Sequence, residues 1–278
     1  MITGAVRPRA SGPPASVSPR TEAGVGAPVR LDDVSKFYGN VPTSGAELDG
    51  VHALDRVSLS VAPSEFVCIL GASGCGKSTL LNLVARLDPP SAGTVTVDGR
   101  TSLMFQDAAL FPWLTAAGNV ELALRLDGVA RAERRERAAE LLEMVNLREF
   151  ARKRPHELSG GMRQRVALAR ALSQRADVLL MDEPFGALDA MTRDVLHDEV
   201  ERIWRETSVT VLFVTHNVRE AVRLGDRVVL LSSRPGRVIA EFPVSIPRPR
   251  RIDSPEVATL AATITDQLRA EVMRHGEH

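Results

Sequence analysis

Residues 65–87, EFVCILGASGCGKSTLLNLVARL, place a short apolar run, a glycine-rich turn and a helical pattern in direct succession. The run EFVCIL (65–70) has the length of a buried strand, and STLLNLVARL (78–87) repeats its leucines at helical spacing. Between them Gly71, Gly76, Lys77 and Ser78 satisfy the spacing G-x-x-x-x-G-K-[ST]. The glycines let backbone N–H groups close on phosphate oxygens, the lysine reaches the outer phosphates, and the hydroxyl is a ligand for Mg2+. The candidate cradle is therefore Gly71, Ala72, Ser73, Gly74, Cys75, Gly76, Lys77, Ser78 and Thr79. A glycine turn that matches by accident is the competing reading, and the strand before it and helix after it argue against that.

Two further stretches fit this cradle. DVLLMDE (177–183) is an apolar strand ending in two acids. Asp182 is placed to hold the metal, and Glu183 to polarise an attacking water. ELSGGMRQRVALARAL (157–172) starts a helix on adjacent glycines, Gly160 and Gly161, after Ser159. Bare N–H groups and the positive end of the helix dipole make that start a second anion site.

The chain has 278 residues, with 44% hydrophobic and 25% charged side chains, the composition of an ordinary globular protein. Its formal net charge is zero, so no electrostatic footprint for nucleic acid is expected. Of 35 basic residues only Lys36, Lys77 and Lys153 are lysine, which gives weight to a lysine at a motif position. The cysteines, Cys68 in an apolar strand and Cys75 in the glycine loop, do not suggest a disulfide or a metal pair, and a reducing cytoplasm fits them. No apolar run approaches the length of a membrane span, and the N-terminus lacks a secretory apolar region.

Residues 1–28 carry five prolines and four glycines without apolar periodicity and read as a disordered tail. Strands are expected at VRLDDVSKFY (29–38) and LDRVSLSVA (54–62), with a turn-rich stretch over 39–53, and again at GTVTVDG (93–99), SVTVLFVT (208–215) and RVVLLSS (227–233). Helices are expected at RAERRERAAELLEMVNL (131–147), at AMTRDVLHDEVERIWRET (190–207) and, amphipathic, within 253–278. Apolar strands alternating with helices imply a parallel sheet covered on both faces.

LSGGMRQR (158–165) resembles the signature sequence of the ATP-binding-cassette (ABC) ATPases, and it lies between the glycine loop and the acidic strand as in that family. Gln106 in MFQD resembles the Q-loop glutamine, Asp189 in GALD the D-loop aspartate, and His216 in FVTHN the switch histidine. Tyr38, the only tyrosine, resembles the aromatic residue that stacks on adenine. The resemblance covers about residues 29–250. It implies an α/β fold: a P-loop NTPase cassette with a parallel-sheet core, an antiparallel β subdomain and an inserted helical subdomain at about 107–157, the ATPase domain running over 29–252. It implies ATP and Mg2+, with Ser78, Gln106 and Asp182 near the metal, and Glu183, His216 and Gln106 as the reacting groups. It also implies a head-to-tail dimer in which Ser159, Gly160 and Gly161 bind the γ-phosphate of the nucleotide on the partner's Lys77. Asp189 would act across the same interface.

Within that family, a single cassette without heptad insertions or a membrane span resembles the separate ATPase subunit of a transporter. MFQDAALFPWLTAAGNV (104–120), SSRPGRV (232–238) and IPRPRR (246–251) resemble importers of nitrate, taurine and aliphatic sulfonates. The last stretch, and a short connection from Gly99 to Met104, favour the aliphatic sulfonate branch, although the arginines could equally be a solvated tail and Trp113 a packing residue. The partners implied are transmembrane permease subunits reached through Phe111 to Trp113, a second ATPase subunit and, indirectly, a periplasmic binding protein. The location implied is the cytoplasmic side of the inner membrane. Nothing in the chain touches the cargo, so taurine, nitrate and a pyrimidine-like vitamin precursor stay open.

Overall fold

The computed structural model describes residues 26–40, 49–186 and 188–275. Six strands form one sheet in the order β5-β6-β7-β3-β8-β9: β3 (Phe66–Leu70), β5 (Thr101–Met104), β6 (Val178–Asp182), β7 (Thr210–Val214), β8 (Arg227–Leu231) and β9 (Val238–Pro243). All neighbours are parallel except β8 and β9. FVCIL and TVLFV are buried at every position, as the continuous apolar runs require, because both faces of a parallel sheet are covered.

Alternation along β3 distributes its side chains between two cores. Phe66, Cys68 and Leu70 face a core shared with most of the helices, whereas Val67 and Ile69 face a second core. That second core is closed by α1 (Lys77–Val84) and by an antiparallel sheet ordered β2-β1-β4: β1 (Val29–Asn40), β2 (Asp49–Val61) and β4 (Ala92–Val97). On the other side lie α2 (Ala116–Leu126), α3 (Arg131–Met144), α4 (Gly160–Leu172), α5 (Ala190–Thr207), α6 (Val218–Leu224) and α7 (Pro255–His275). The α/β class with a parallel core, an antiparallel layer and an inserted helical unit is the arrangement the resemblance implied. Val257, Ala261 and Ile264 bury one face of α7 in the main core.

Several elements depart from the sequence reading. Residues 1–25 of the expected tail, 41–48 of the turn-rich stretch and 276–278 lie outside the described residues. The tail assignment extends too far, however: Gly26 N–H donates to Ser208 O (3.0 Å), Ala27 N–H to Asp177 O (3.3 Å), and Ala27 is buried. The short connection between Gly99 and Met104 contains strand β5, which pairs residue for residue with β6. Its four residues are too few for periodicity to register. β9 is an edge strand with alternate half-buried residues, and α6 has only seven residues, so neither produced a recognisable pattern.

Candidate nucleotide-binding and hydrolysis site

Strand order sets the position of the site. β3 lies between β7 and β8, and the loop leaving its C-terminal end runs into α1, the crevice where open α/β sheets bind ligands. Gly74 (φ +75°) and Gly76 (φ +102°) hold left-handed backbone. A Cβ at Gly76 would lie 2.7 Å from Ala53 O and from Leu54 Cδ2, whereas at Gly74 nothing lies within 4 Å. Gly76 is thus required by both conformation and space, and Gly74 by conformation alone. No side chain caps α1, so its first N–H groups point into the loop.

Lys77 is buried, and its Nζ donates to Gly71 O and Ala72 O, both at 2.9 Å, from inside the loop. Ser73, Gly74 and Ser78 are exposed around the rim, with Ala72 and Thr79 half-buried. Cys75 tucks beneath, and burial pushes its thiol above the usual range, which leaves it an unreactive packing group. Tyr38, at the end of β1, donates to Asp88 Oδ2 (2.8 Å), and Lys36 Nζ lies 4.8 Å from its ring centroid. Burial, followed by the bond to Asp88, raises the Tyr38 phenol above its usual range, against a smaller lowering by Thr79.

The acidic pair sits at the end of β6. Burial raises the Asp182 carboxyl above its usual range, against a hydrogen bond with Ser78. Such a desolvated carboxylate gains from a nearby cation. Among the described residues no group of three or more His, Cys, Asp or Glu could hold a metal alone. One carboxylate and one hydroxyl fit Mg2+, which relies on substrate phosphates and water for its other ligands. Glu183 has a left-handed backbone, φ +44°, and its side chain lies between Lys77 and His216. Glu183 Oε1 lies 4.0 Å from Lys77 Nζ, and Oε2 lies 2.9 Å from His216 Nδ1. His216 follows β7, which pairs with β6 through Asp182 and Val214. Gln106 lies just beyond β5 and is exposed. A Cβ at Gly186 would lie 3.8 Å from both Gln106 Nε2 and Glu183 Oε2, so the amide and carboxylate flank one loop.

Ser159, Gly160 and Gly161, the expected second anion site, lie at the start of α4. Ser159 caps α4, its Oγ accepting from Met162 N–H (3.2 Å). Among the described residues no hydrogen bond or ion pair joins Ser159, Gly160 or Gly161 to Lys77. Gly161 is buried, and a Cβ there would lie 2.3 Å from Thr192 Cγ2 on α5, so this glycine serves helix packing. Asp189 caps α5, accepting from Thr192 N–H (3.0 Å) and Thr192 Oγ1 (2.7 Å). The sequence reading missed how α4 grips the Gln106 segment. Gln164 Nε2 donates to Gln106 O (2.8 Å), and Arg170 donates to Ala109 O (2.7 Å) and Ala108 O (2.8 Å). Both residues sit on an ordinary amphipathic helix, so only the fold reveals the contact.

An open groove of about 600 Å³ separates β5 from α2, lined in part by Arg100, Phe105, Phe111, Leu122 and Leu126. Buried Asn119 accepts from Phe111 N–H (2.8 Å) and donates to Thr115 O (3.0 Å), fixing the loop that presents Phe111 and the exposed Trp113. IPRPRR is no solvated tail. Buried Arg250 donates to Gly225 O (2.5 Å) and Val222 O (3.0 Å), and burial lowers its guanidinium to about 10. Arg248 lies 4.5 Å from the Trp204 ring and pairs with Asp226 at 2.9 Å. These arginines fasten the C-terminal segment to α5 and α6.

Comparisons with known proteins identify the family. Residues 54–186 match the family model described as ABC transporter. The chain is 51% identical over 206 residues to the taurine import ATP-binding protein TauB of Rhizobium johnstonii, covering 71% of this chain and 79% of that one. It is 46% identical over 205 residues to the nitrate import ATP-binding protein NrtD of a Synechocystis strain, covering 71% and 77%. Among solved structures, the cassette MJ0796 in a dimeric post-hydrolysis state bound to ADP and Pi is 36% identical, with a TM-score of 0.68 over 78% of this chain and 99% of that one. The chain belongs to the ABC transporter family, as one of its ATP-binding cassettes. Among the described residues no helix is long and apolar enough to cross a membrane.

Proposed function

We propose that this chain is the ATP-hydrolysing subunit of an importer for small aliphatic sulfonates. It works as a head-to-tail dimer on the cytoplasmic face of the inner membrane, beneath permease subunits. The observation that carries the motor role is the meeting of Lys77, Glu183 and His216 at the glycine loop. The cassette is read as residues 29–252, followed by a C-terminal helical segment.

Each residue then has a task. The loop N–H groups and Lys77 hold the phosphates, and Tyr38 stacks on the base. Mg2+, held by Ser78 and Asp182 with Gln106 beside it, would supply neutralising charge at the phosphates. Glu183 takes the proton of the attacking water, and His216 holds Glu183 in place while sensing the γ-phosphate. Ser159, Gly160 and Gly161 offer their N–H groups to the partner's nucleotide. ATP binding favours the closed dimer, and hydrolysis removes that differential affinity and reopens it. The grip of Gln164 and Arg170 on residues 106–109 moves the helical unit with the Gln106 loop.

The cargo reading rests on kinship and chemistry. Taurine is itself an aminoalkyl sulfonate, which supports a sulfonate over nitrate. The test is uptake of labelled ethanesulfonate, taurine and nitrate in cells lacking this chain and complemented with wild type or Glu183→Gln. Wild type alone restoring a sulfonate supports the proposal, ethanesulfonate before taurine. Restoration of nitrate alone removes the sulfonate while keeping the motor.

The groove and its exposed aromatics are read as the permease dock. Trp113→Ala is expected to weaken association with the permease by about 30-fold, the scale of an aromatic anchor. The isolated chain should keep its ATPase rate within about twofold. Co-purification and ATPase measured side by side decide this: a fall in both places Trp113 in the cassette's own packing instead.

A further inference from the structure

Behind Glu183 and His216 lies a buried polar chain that the roles above leave unused. His197 on α5 is fully buried, and its Nε2 lies 2.5 Å from Glu220 Oε1 on α6. Glu220 is also buried, and its other oxygen accepts a short hydrogen bond from the Thr215 hydroxyl. Thr215 Oγ1 in turn accepts from Asn217 N–H at 3.0 Å. Both neighbours of His216 in the chain are therefore fastened to one carboxylate, directly or through one hydroxyl.

The same imidazole packs against the segment that follows Glu183. Its ring meets Phe185 edge-on, with centroids 5.6 Å apart, and Phe185 lies two residues beyond Glu183. Glu183, His216, Thr215 and Glu220 also line one cavity of about 10 Å³. His197 Nδ1 makes no hydrogen bond among the described residues, the nearest acid being Asp194 Oδ1 at 3.8 Å. The proton accordingly belongs on Nε2, where Glu220 accepts it.

We propose that His197 and Glu220 are positioning residues for hydrolysis: through Thr215 and Phe185 they hold the backbones carrying His216 and Glu183 in mutual register. This hydrogen-bonded chain of His197, Glu220 and Thr215 shares no residue with the nucleotide-holding set proposed above. Its effect lies on the 2.9 Å contact between His216 Nδ1 and Glu183 Oε2, which a shift of either backbone would lengthen. The left-handed Glu183 backbone persists only where its surroundings over-determine it, and this buried chain is one such support. The inference rests on Glu183 and His216 being the reacting pair.

The experiment measures kcat and KM for ATP on the full chain, per folded molecule, with melting curves alongside. His197→Phe keeps a ring against Phe185 but removes the N–H, and His197→Gln keeps an N–H donor. The expected result is a fall in kcat of at least about tenfold for His197→Phe, of the kind small misplacements cause. His197→Gln should recover kcat to within about threefold of wild type, with KM within about twofold in both. Thr215→Val and Thr215→Ser form a second pair in case His197→Phe does not fold, with the serine hydroxyl restoring what valine loses. Equal losses in the donor-keeping and donor-lacking variants, or a KM rise at unchanged kcat, overturn the proposal. Glu183→Gln and His216→Ala serve as references. If neither lowers kcat, the assignment of the reacting pair fails. If both do while His197→Phe and Thr215→Val do not, only the positioning role falls.

Discussion

Glu183→Gln will lower the steady-state ATPase rate by about 10²–10³-fold, the contribution of a well-placed general base, while leaving ATP binding within about twofold. The carboxylate is held by two cationic or polar partners, His216 Nδ1 at 2.9 Å and Lys77 Nζ at 4.0 Å, and by a backbone at φ +44°. Glutamine matches that shape and can still hydrogen-bond His216, so the geometry survives and only the proton acceptor is lost. Folding should not suffer. Asp182 is already raised chiefly by burial, and the Glu183 charge adds to that, so removing the charge should ease its carboxyl back towards the usual range. Phosphate release at saturating Mg-ATP, alongside titration with a fluorescent ATP analogue, measures both quantities. A rate within about threefold of wild type would exclude Glu183 as the base.

The parts of this arrangement legible in sequence share one property: local pattern and global role coincide. β3 and β7 are buried at every residue, so their apolar runs announce them, and the loop after β3 carries its chemistry in consecutive residues. Asp182 and Glu183 were visible because they interrupt an apolar strand. The rest depends on pairing that no window of sequence contains. β5 is a strand because β6 lies beside it, and its own burial alternates over four residues only. Arg248 and Arg250 looked like surface charge, and their carbonyl partners on α6 and beyond turn them into internal staples. His197 shares the buried face of α5 with Leu196, Val200 and Ile203, so nothing local separates it from core packing. The resemblance to a family named Ser159, Gly160 and Gly161 together, yet the fold splits them. Ser159 is exposed and Gly160 half-buried, while Gly161 is pressed against Thr192.

That split yields a second large effect, in which stability and activity move in opposite directions. At Gly160 a Cβ meets only Leu188 Cδ2 at 3.4 Å and Arg163 at 3.9 Å, so a side chain fits. An aspartate at this first position of α4 also suits the positive end of the helix dipole, a stabilisation of about 0.3–1 kcal/mol. Gly160→Asp should therefore melt no lower than wild type. Its carboxylate nevertheless faces the place proposed for the γ-phosphate of the partner's ATP, and the ATPase rate should fall by about 10²–10³-fold, as when a preorganised donor site is spoiled. Gly161→Ala should do the reverse. Its Cβ would lie 2.3 Å from Thr192 Cγ2, and Thr192 is held by its hydroxyl bond to Asp189, so overpacking costs about 1–3 kcal/mol. That lowers the melting temperature by about 2–4 °C per kcal/mol. Mixing separates action across a dimer from action within one chain. Gly160→Asp has an intact loop and Lys77→Ala an intact helix start, so a mixed dimer contains one undamaged composite site and regains part of the activity that each lacks alone. If the helix start served its own chain's nucleotide, every site in the mixture would carry one lesion and no activity would return.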